Sequence, residues 1–65
     1  MTESIYRVVA IENEDCIPVS IDFKELPQAK NQLDYMLPVT QKGIKLMVSE
    51  YTTDKYGYSI WVRDI

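Results

Sequence analysis

Cys16 is the only cysteine in this chain of 65 residues, and histidine is absent. A disulfide within the chain is therefore excluded, and a lone cysteine cannot form a zinc site with the usual nitrogen and sulfur ligands. A domain of this size buries only about 60% of the surface that its unfolded chain exposes. Small domains often gain stability from disulfides, metals or oligomerisation. Because a disulfide and an ordinary zinc site are both excluded, we expect good local packing or self-association to stabilise the fold.

The composition is that of one globular domain, residues 1–65, in a reducing compartment. Hydrophobic residues make up 46% and charged residues 26%, which is too apolar for a disordered chain. A free cysteine without a disulfide framework predicts a cytoplasmic location. The start "MTESIYRVVA" has no signal-peptide pattern, and no run approaches the roughly 18 apolar residues of a membrane span. We expect a complete small reading frame with no membrane partner.

The first half of the sequence predicts a β-hairpin. Residues 5–11, "IYRVVAI", alternate and are rich in β-branched side chains, which is typical of a strand. Residues 12–16, "ENEDC", predict a turn. Residues 17–23, "IPVSIDF", alternate cleanly, and Pro18 lacks an N–H, so we expect an edge strand paired with the first.

One helix follows, with its ends marked by prolines. Leu26, Ala29, Leu33, Met36 and Leu37 form one helical stripe. Pro27 suits the first turn, which predicts an N-cap at Glu25 or just before it. Pro38 disfavours helical geometry at Leu37, so the helix is expected to end about Met36.

The last third predicts a second hairpin, with strands at 44–52 and 56–64 after a loop at 38–43. A three-residue turn at 53–55 keeps apolar rows together, since it pairs Val48 with Ile60 and Leu46 with Val62. Three-residue turns usually carry glycine at their left-handed position, and Lys55 is a mild objection to this placement.

The predicted fold class is α+β: a β-β-α-β-β domain whose antiparallel sheet of three to four strands carries one helix on one face. The predicted core combines one row from each strand with the helical stripe: Val9, Ile11, Val19, Ile21, Phe23, Leu26, Ala29, Leu33, Met36, Ile44, Leu46, Val48, Tyr58, Ile60 and Val62.

The face of the sheet without a helix carries the only tryptophan, in the final strand "YGYSIWVRD". In the predicted register Trp61 lies opposite Met47, and Tyr51 lies over Gly57. Lys45 and Arg63 flank this group, and Tyr6 or Arg7 extends it if the first strand lies alongside. The candidate partner-binding residues are Trp61, Met47, Tyr51, Lys45 and Arg63.

This aromatic face admits several interpretations. Cross-strand aromatic residues stabilise small sheets without any further role. Trp, Tyr, Met and Arg are also enriched at the centres of protein interfaces, which favours a binding site for an unidentified protein partner or a homodimer. Single-stranded nucleic acid could stack on Trp61 and Tyr51, but the net charge of −3 makes this the least favoured hypothesis.

No pattern of catalytic, cofactor or metal-binding residues is found in the sequence, so we expect no enzyme. Cys16 has no histidine to activate it. The acidic turn at 12–15 lacks the glycine and spacing of a calcium loop, and the two isolated glycines build no phosphate-binding loop. We therefore expect a non-catalytic protein-binding module or a small regulatory or inhibitory protein; phages and mobile elements are a typical source of such proteins.

Overall fold

The computed structural model describes residues 3–65, which form four antiparallel strands and one α-helix. The elements are β1 (Ser4–Glu12), β2 (Asp15–Pro18), α1 (Leu26–Met36), a 3-10 turn (Leu37–Val39), β3 (Lys45–Thr53) and β4 (Ser59–Asp64). The strand order across the curled sheet is β2-β1-β3-β4, and α1 packs on β1 and β3. The predicted α+β class and element order are confirmed, and β2 lies at an edge as Pro18 indicated.

The first hairpin closes through a two-residue turn at Asn13 and Glu14. Both have positive φ, 51° and 70°, and Glu12 pairs with Asp15 on either side. Two consecutive left-handed residues give the turn a twist that matches the twist of the strands. A turn was predicted at 12–16; it lies within that range but is shorter, because Glu12 belongs to β1 and Asp15 and Cys16 belong to β2.

The predicted strand 17–23 is regular only as far as Pro18. Beyond it the main-chain N–H of Val8 donates to the Ser20 hydroxyl at 2.9 Å, and regular pairing returns only where Phe23 bridges Tyr6. A serine side chain here takes the place of a carbonyl in the ladder, so the chain bulges outward between Pro18 and Phe23. This bulge leaves Ile21 exposed.

The helix has the predicted bounds. It begins at Leu26 after an extended N-cap at Glu25, and Pro27 occupies its first turn. It ends at Met36, where the 3-10 turn takes over and the Thr40 hydroxyl donates to the Met36 carbonyl at 2.7 Å. Both ends of the helix follow from the local sequence, because proline restricts the backbone conformation of its own residue and of the residue before it.

The core is small and uses the other row of β1. Val8, Ala29 and Val48 form its fully buried centre, whereas Val9 and Ile11 were predicted to face the helix. Val8 lies opposite Val48 in the β1–β3 ladder, which places both on what we call the helix face of the sheet. Both rows of β1 are apolar, so alternation alone could not choose between them. Partly buried side chains surround the centre: Tyr6, Phe23, Leu26, Leu33, Met36 and Leu46.

Five other predicted core residues are exposed and the prediction is wrong for them: Val19, Ile21, Tyr58, Ile60 and Val62. The first two lie in or beside the bulge at Ser20. The last three lie at or next to β4, at the sheet edge. Ile11 and Ile44 are half-buried outside the core cluster.

The opposite side of the sheet, which we call the outer face, carries Arg7, Val9, Met47, Ser49 and Tyr51. Val9 is only 1% exposed and Ser49 is fully buried, although α1 packs on the other side. The sheet is curled, and the buried hydroxyl of Ser49 donates a hydrogen bond to Asp64 Oδ1 at 2.6 Å.

The β3–β4 hairpin has a three-residue turn, but at 55–57 rather than at 53–55. Asp54 N–H donates to the Tyr58 carbonyl at 2.9 Å, and Gly57 N–H donates to the Asp54 carbonyl at 3.1 Å. Gly57 has φ of +87° and supplies the left-handed residue that Lys55 could not. The Asp54 carboxylate accepts hydrogen bonds from the N–H groups of Tyr56 and Tyr58, which fixes the turn.

This position of the turn overturns the predicted register. Tyr51 pairs with Trp61 and Thr52 with Ile60, whereas the earlier turn had paired Tyr51 with Gly57 and Met47 with Trp61. A bulge then shifts the ladder by one residue between Glu50 and Tyr51, so that Glu50 lies opposite Arg63. A shift of one residue exchanges the faces of all later side chains.

Candidate protein interface

The candidate site lies on β4, the strand at one edge of the sheet. All six of its residues are exposed, including Ile60, Trp61 and Val62. Because α1 packs on β1 and β3, β4 carries apolar side chains on both faces without a covering layer among the described residues. It therefore differs from the central strands, each of which buries a valine.

Trp61 is the largest of these side chains, and its orientation is fixed. It is 57% exposed, and its indole N–H donates to Asp64 Oδ1 at 3.0 Å. The same oxygen accepts a 2.6 Å hydrogen bond from the hydroxyl of Ser49, which is fully buried. These hydrogen bonds, the one from Ser49 first, lower the pKa of the Asp64 carboxyl below its usual value. The ionised form of Asp64 thus holds the indole against the outer face.

Tyr51 and Arg7 continue the outer face beside Trp61. Tyr51 is the cross-strand partner of Trp61, and the Arg7 guanidinium lies 4.3 Å from the centre of the Tyr51 ring. Arg7 also forms a two-pronged ion pair with Asp22, at 2.7 and 3.2 Å. This hydrogen bonding to Asp22 raises the pKa of Arg7. The side chains of this group hold one another in place without contact from α1.

The structure brings together only part of the predicted site. Trp61 and Tyr51 are adjacent, and Arg7 extends the group as the sequence allowed. Met47 shares the outer face, but its ladder partner is Val9 on β1 rather than Trp61. Lys45 lies beyond Met47, opposite Ile11. Met47 and Lys45 therefore precede Ser49 in β3 by two and four residues, on the side of Ser49 away from Trp61.

Arg63 leaves the predicted site altogether. The bulge turns its side chain to the helix face, where its Nε donates to Glu50 Oε1 at 2.7 Å. Glu50 also accepts a 2.6 Å hydrogen bond from the Ser4 hydroxyl. The hydrogen bonds from Ser4 and then Arg63 lower the pKa of Glu50. Asp64 takes the place beside Trp61 that Arg63 was expected to occupy.

The sequence analysis assigned a second apolar row, at the end of the turn and on β4, to the core, whereas the structure leaves it exposed. Ile60 is 47% exposed and Val62 is 42% exposed, and Tyr58 precedes them at the end of the turn. They were predicted to be core residues because their alternation is that of a buried strand. The missing information was the reach of α1, which no local pattern specifies.

An open cleft of about 360 Å³ is lined by Glu3, Ser4, Tyr6, Lys24 and Glu25. Its charged residues are exposed, and nothing in their arrangement distinguishes them from an ordinary solvated surface. Within residues 3–65 there is no group of three or more histidine, cysteine, aspartate or glutamate side chains placed to hold a metal ion. In the same range no helix combines the length and the apolar character needed to cross a membrane.

Comparison with known proteins adds no relative: no family model, no curated protein and no solved structure matches this chain.

Proposed function

We propose that the protein is a non-catalytic binding module that recognises a protein partner through β4 and the outer face beside it. The observation that carries this proposal is the state of Trp61, which is more than half exposed while Asp64 fixes its indole N–H. Residues that dominate binding energy in interfaces are most often Trp, Tyr and Arg. Trp61, Tyr51 and Arg7 lie together here.

Preorganisation strengthens the case for binding over simple sheet packing. Ordering a flexible side chain at an interface costs about 0.5–1.5 kcal/mol, and a side chain already held in place avoids much of that cost. The Asp64 and Ser49 hydrogen bonds hold Trp61, and the Arg7 stack holds Tyr51. A ring needed only for stability would be expected to lie deeper in the sheet.

The proposed role is regulatory: the protein acts by occupying a surface of its partner, as small inhibitory proteins of phages and mobile elements do. We place it in the cytoplasm, because the thiol of Cys16 is exposed and a reducing compartment would keep it free. Nucleic acid is not the proposed ligand. Both arginines of the chain are paired, Arg7 with Asp22 and Arg63 with Glu50, so neither guanidinium is free to bind a phosphate backbone.

The test compares two exposed aromatic residues on different elements, Trp61 on β4 and Tyr35 on α1. Trp61→Ala is expected to weaken capture of the partner from a lysate of the native host by at least about 30-fold, the effect of losing a dominant interface residue. Tyr35→Ala, which removes an exposed ring from α1, should leave capture unchanged. Circular dichroism establishes that both variants fold.

Two results would contradict the proposal. One is equal capture by wild type and Trp61→Ala. The other is loss of folding in Trp61→Ala, which would make the outer face structural. Met47→Glu provides a second probe, since it places a charge on the same face away from the Asp64 hydrogen bonds.

A further inference from the structure

The outer edge of β4 is an unpaired strand edge, and its open hydrogen-bonding groups can be identified. Asp54 and Tyr58 form a hydrogen-bonded pair, and such pairs alternate with non-hydrogen-bonded ones along an antiparallel ladder. Thr52–Ile60 is therefore a hydrogen-bonded pair, while Thr53–Ser59 and Tyr51–Trp61 are not. The N–H and C=O groups of Ser59 and Trp61 consequently point away from β3, to the open edge.

The two edges of the sheet are protected very differently. The edge formed by β2 is four residues long, contains Pro18 and gives way to the bulge at Ser20. Short length, proline and bulges are the devices that prevent strand edges from pairing with other chains. β4 has six residues and no proline, and its bulge lies beyond Trp61, which leaves the stretch from Ser59 to Trp61 regular.

We propose that a second copy of this chain occupies the β4 edge, pairing β4 with β4 antiparallel about a two-fold axis to give a continuous eight-stranded sheet. This inference rests on the proposed function in that β4 is an interface, and it names the occupant. A two-fold contact needs a surface that complements itself. The pattern of open groups on β4 meets this requirement in one register.

In that register Ile60 lies opposite Ile60 of the second copy. Ser59 then faces Trp61 of the second copy, so that both outward-pointing residues meet outward-pointing residues and their N–H and C=O groups pair. Ile60 is paired with Thr52 and lies on the helix face, where it is 47% exposed. The two isoleucine side chains therefore cover each other at the centre of the seam.

The amount of exposed surface agrees with an interface of ordinary size. The accessible surface is 5027 Å², whereas a folded monomer of 7.6 kDa is expected to expose about 4,300 Å². The excess of about 700 Å² is close to the roughly 800 Å² that each partner buries in a standard interface. The radius of gyration is 12.1 Å against about 10.7 Å for a compact chain of this length, and the shortest dimension is 16 Å.

The experiment measures molecular mass by sedimentation equilibrium from about 1 to 300 μM, a range that brackets a micromolar dimer. Wild type should approach twice the monomer mass. Ile60→Lys should raise the dissociation constant at least about 100-fold, because two ammonium groups would face each other at the centre of the seam. Val39→Lys, the same kind of change at an exposed position in the 3-10 turn, outside β4, should dimerise like wild type.

Ser59→Pro tests the backbone contribution separately, since it removes an N–H that points to the open edge without touching the apolar row. It should also weaken the dimer, and it serves as the second test if Ile60→Lys does not fold. A wild-type chain that stays monomeric at 300 μM would overturn the inference. So would a dimer that survives both changes on β4.

These outcomes are separable from those of the proposed function. A monomeric wild type that still captures a foreign partner through Trp61 would overturn the inference and leave the function in place. A wild-type dimer that Ile60→Lys disrupts, together with no capture of a foreign protein, would support the inference and overturn the proposed function.

Discussion

At the scale of single residues, Asp64 has the most consequences. One of its carboxylate oxygens accepts hydrogen bonds from both Ser49, which is fully buried, and Trp61, which is exposed. It thus joins the β3–β4 ladder to the candidate interface. The sequence placed Trp61 on the outer face correctly but put Arg63 beside it. The bulge responsible leaves no mark in the sequence that alternation could detect.

Asp64 should make stability depend on pH. Its folded pKa lies below the unfolded value of about 3.9, so its contribution is present above that pH and is lost as the pH falls through the folded pKa. Asp64→Asn should therefore lower the free energy of unfolding more at pH 7 than at pH 2.5, as measured by urea denaturation. Glu50 is present in both proteins, so its contribution cancels in the difference between their free energies of unfolding.

Asp34→Asn is the control for this measurement, because Asp34 is exposed on α1 and forms no ion pair within residues 3–65. Its effect should be small at both pH values. An equal cost of Asp64→Asn at pH 7 and pH 2.5 would show that the hydrogen bonds do not depend on the ionised carboxylate.

At the scale of elements, local signals predicted what local chemistry determines. The helix bounds followed from Pro27 and Pro38, which act on their immediate neighbours. The position of the β3–β4 turn was indicated just as locally, by Asp54 and Gly57. The prediction instead chose the turn that paired the apolar rows of the two strands. Because the glycine position fixes a three-residue turn, it was the more reliable guide to register.

The path of the segment after β2 depends on the hydroxyl group of Ser20. The main-chain N–H of Val8, a fully buried residue, donates to Ser20 Oγ at 2.9 Å. Ser20→Ala leaves this donor without its acceptor and should destabilise the protein by about 1–3 kcal/mol in urea denaturation. Ser20→Thr keeps a hydroxyl at the same position and should cost less. A loss below about 0.5 kcal/mol for Ser20→Ala, the range of ordinary surface changes, would contradict this role.

At the scale of the whole molecule, the decisive features are non-local. Both rows of β1 are apolar, and the choice between Val8 and Val9 depends on which side α1 packs. Likewise, Ile60 and Val62 have the pattern of core residues but lie beyond the strands on which α1 packs. A sequence pattern reports which side chains can be buried, whereas the reach of the single helix decides which ones are. Because Ile60 and Val62 remain exposed, β4 is a candidate interface.

Dimerisation through β4 should therefore appear in the stability of the whole chain. Since a second copy that binds the folded state stabilises it by mass action, the thermal midpoint of wild type should rise with protein concentration. For a domain of this size we expect about 3–6 °C for each tenfold increase, measured by circular dichroism from about 5 to 500 μM. Ile60→Lys should unfold at a midpoint that does not change with concentration, while Val39→Lys should follow wild type. A concentration-independent midpoint in wild type would mean that the three-residue core and its surrounding shell stabilise the monomer unaided, and that β4 is open in the free protein.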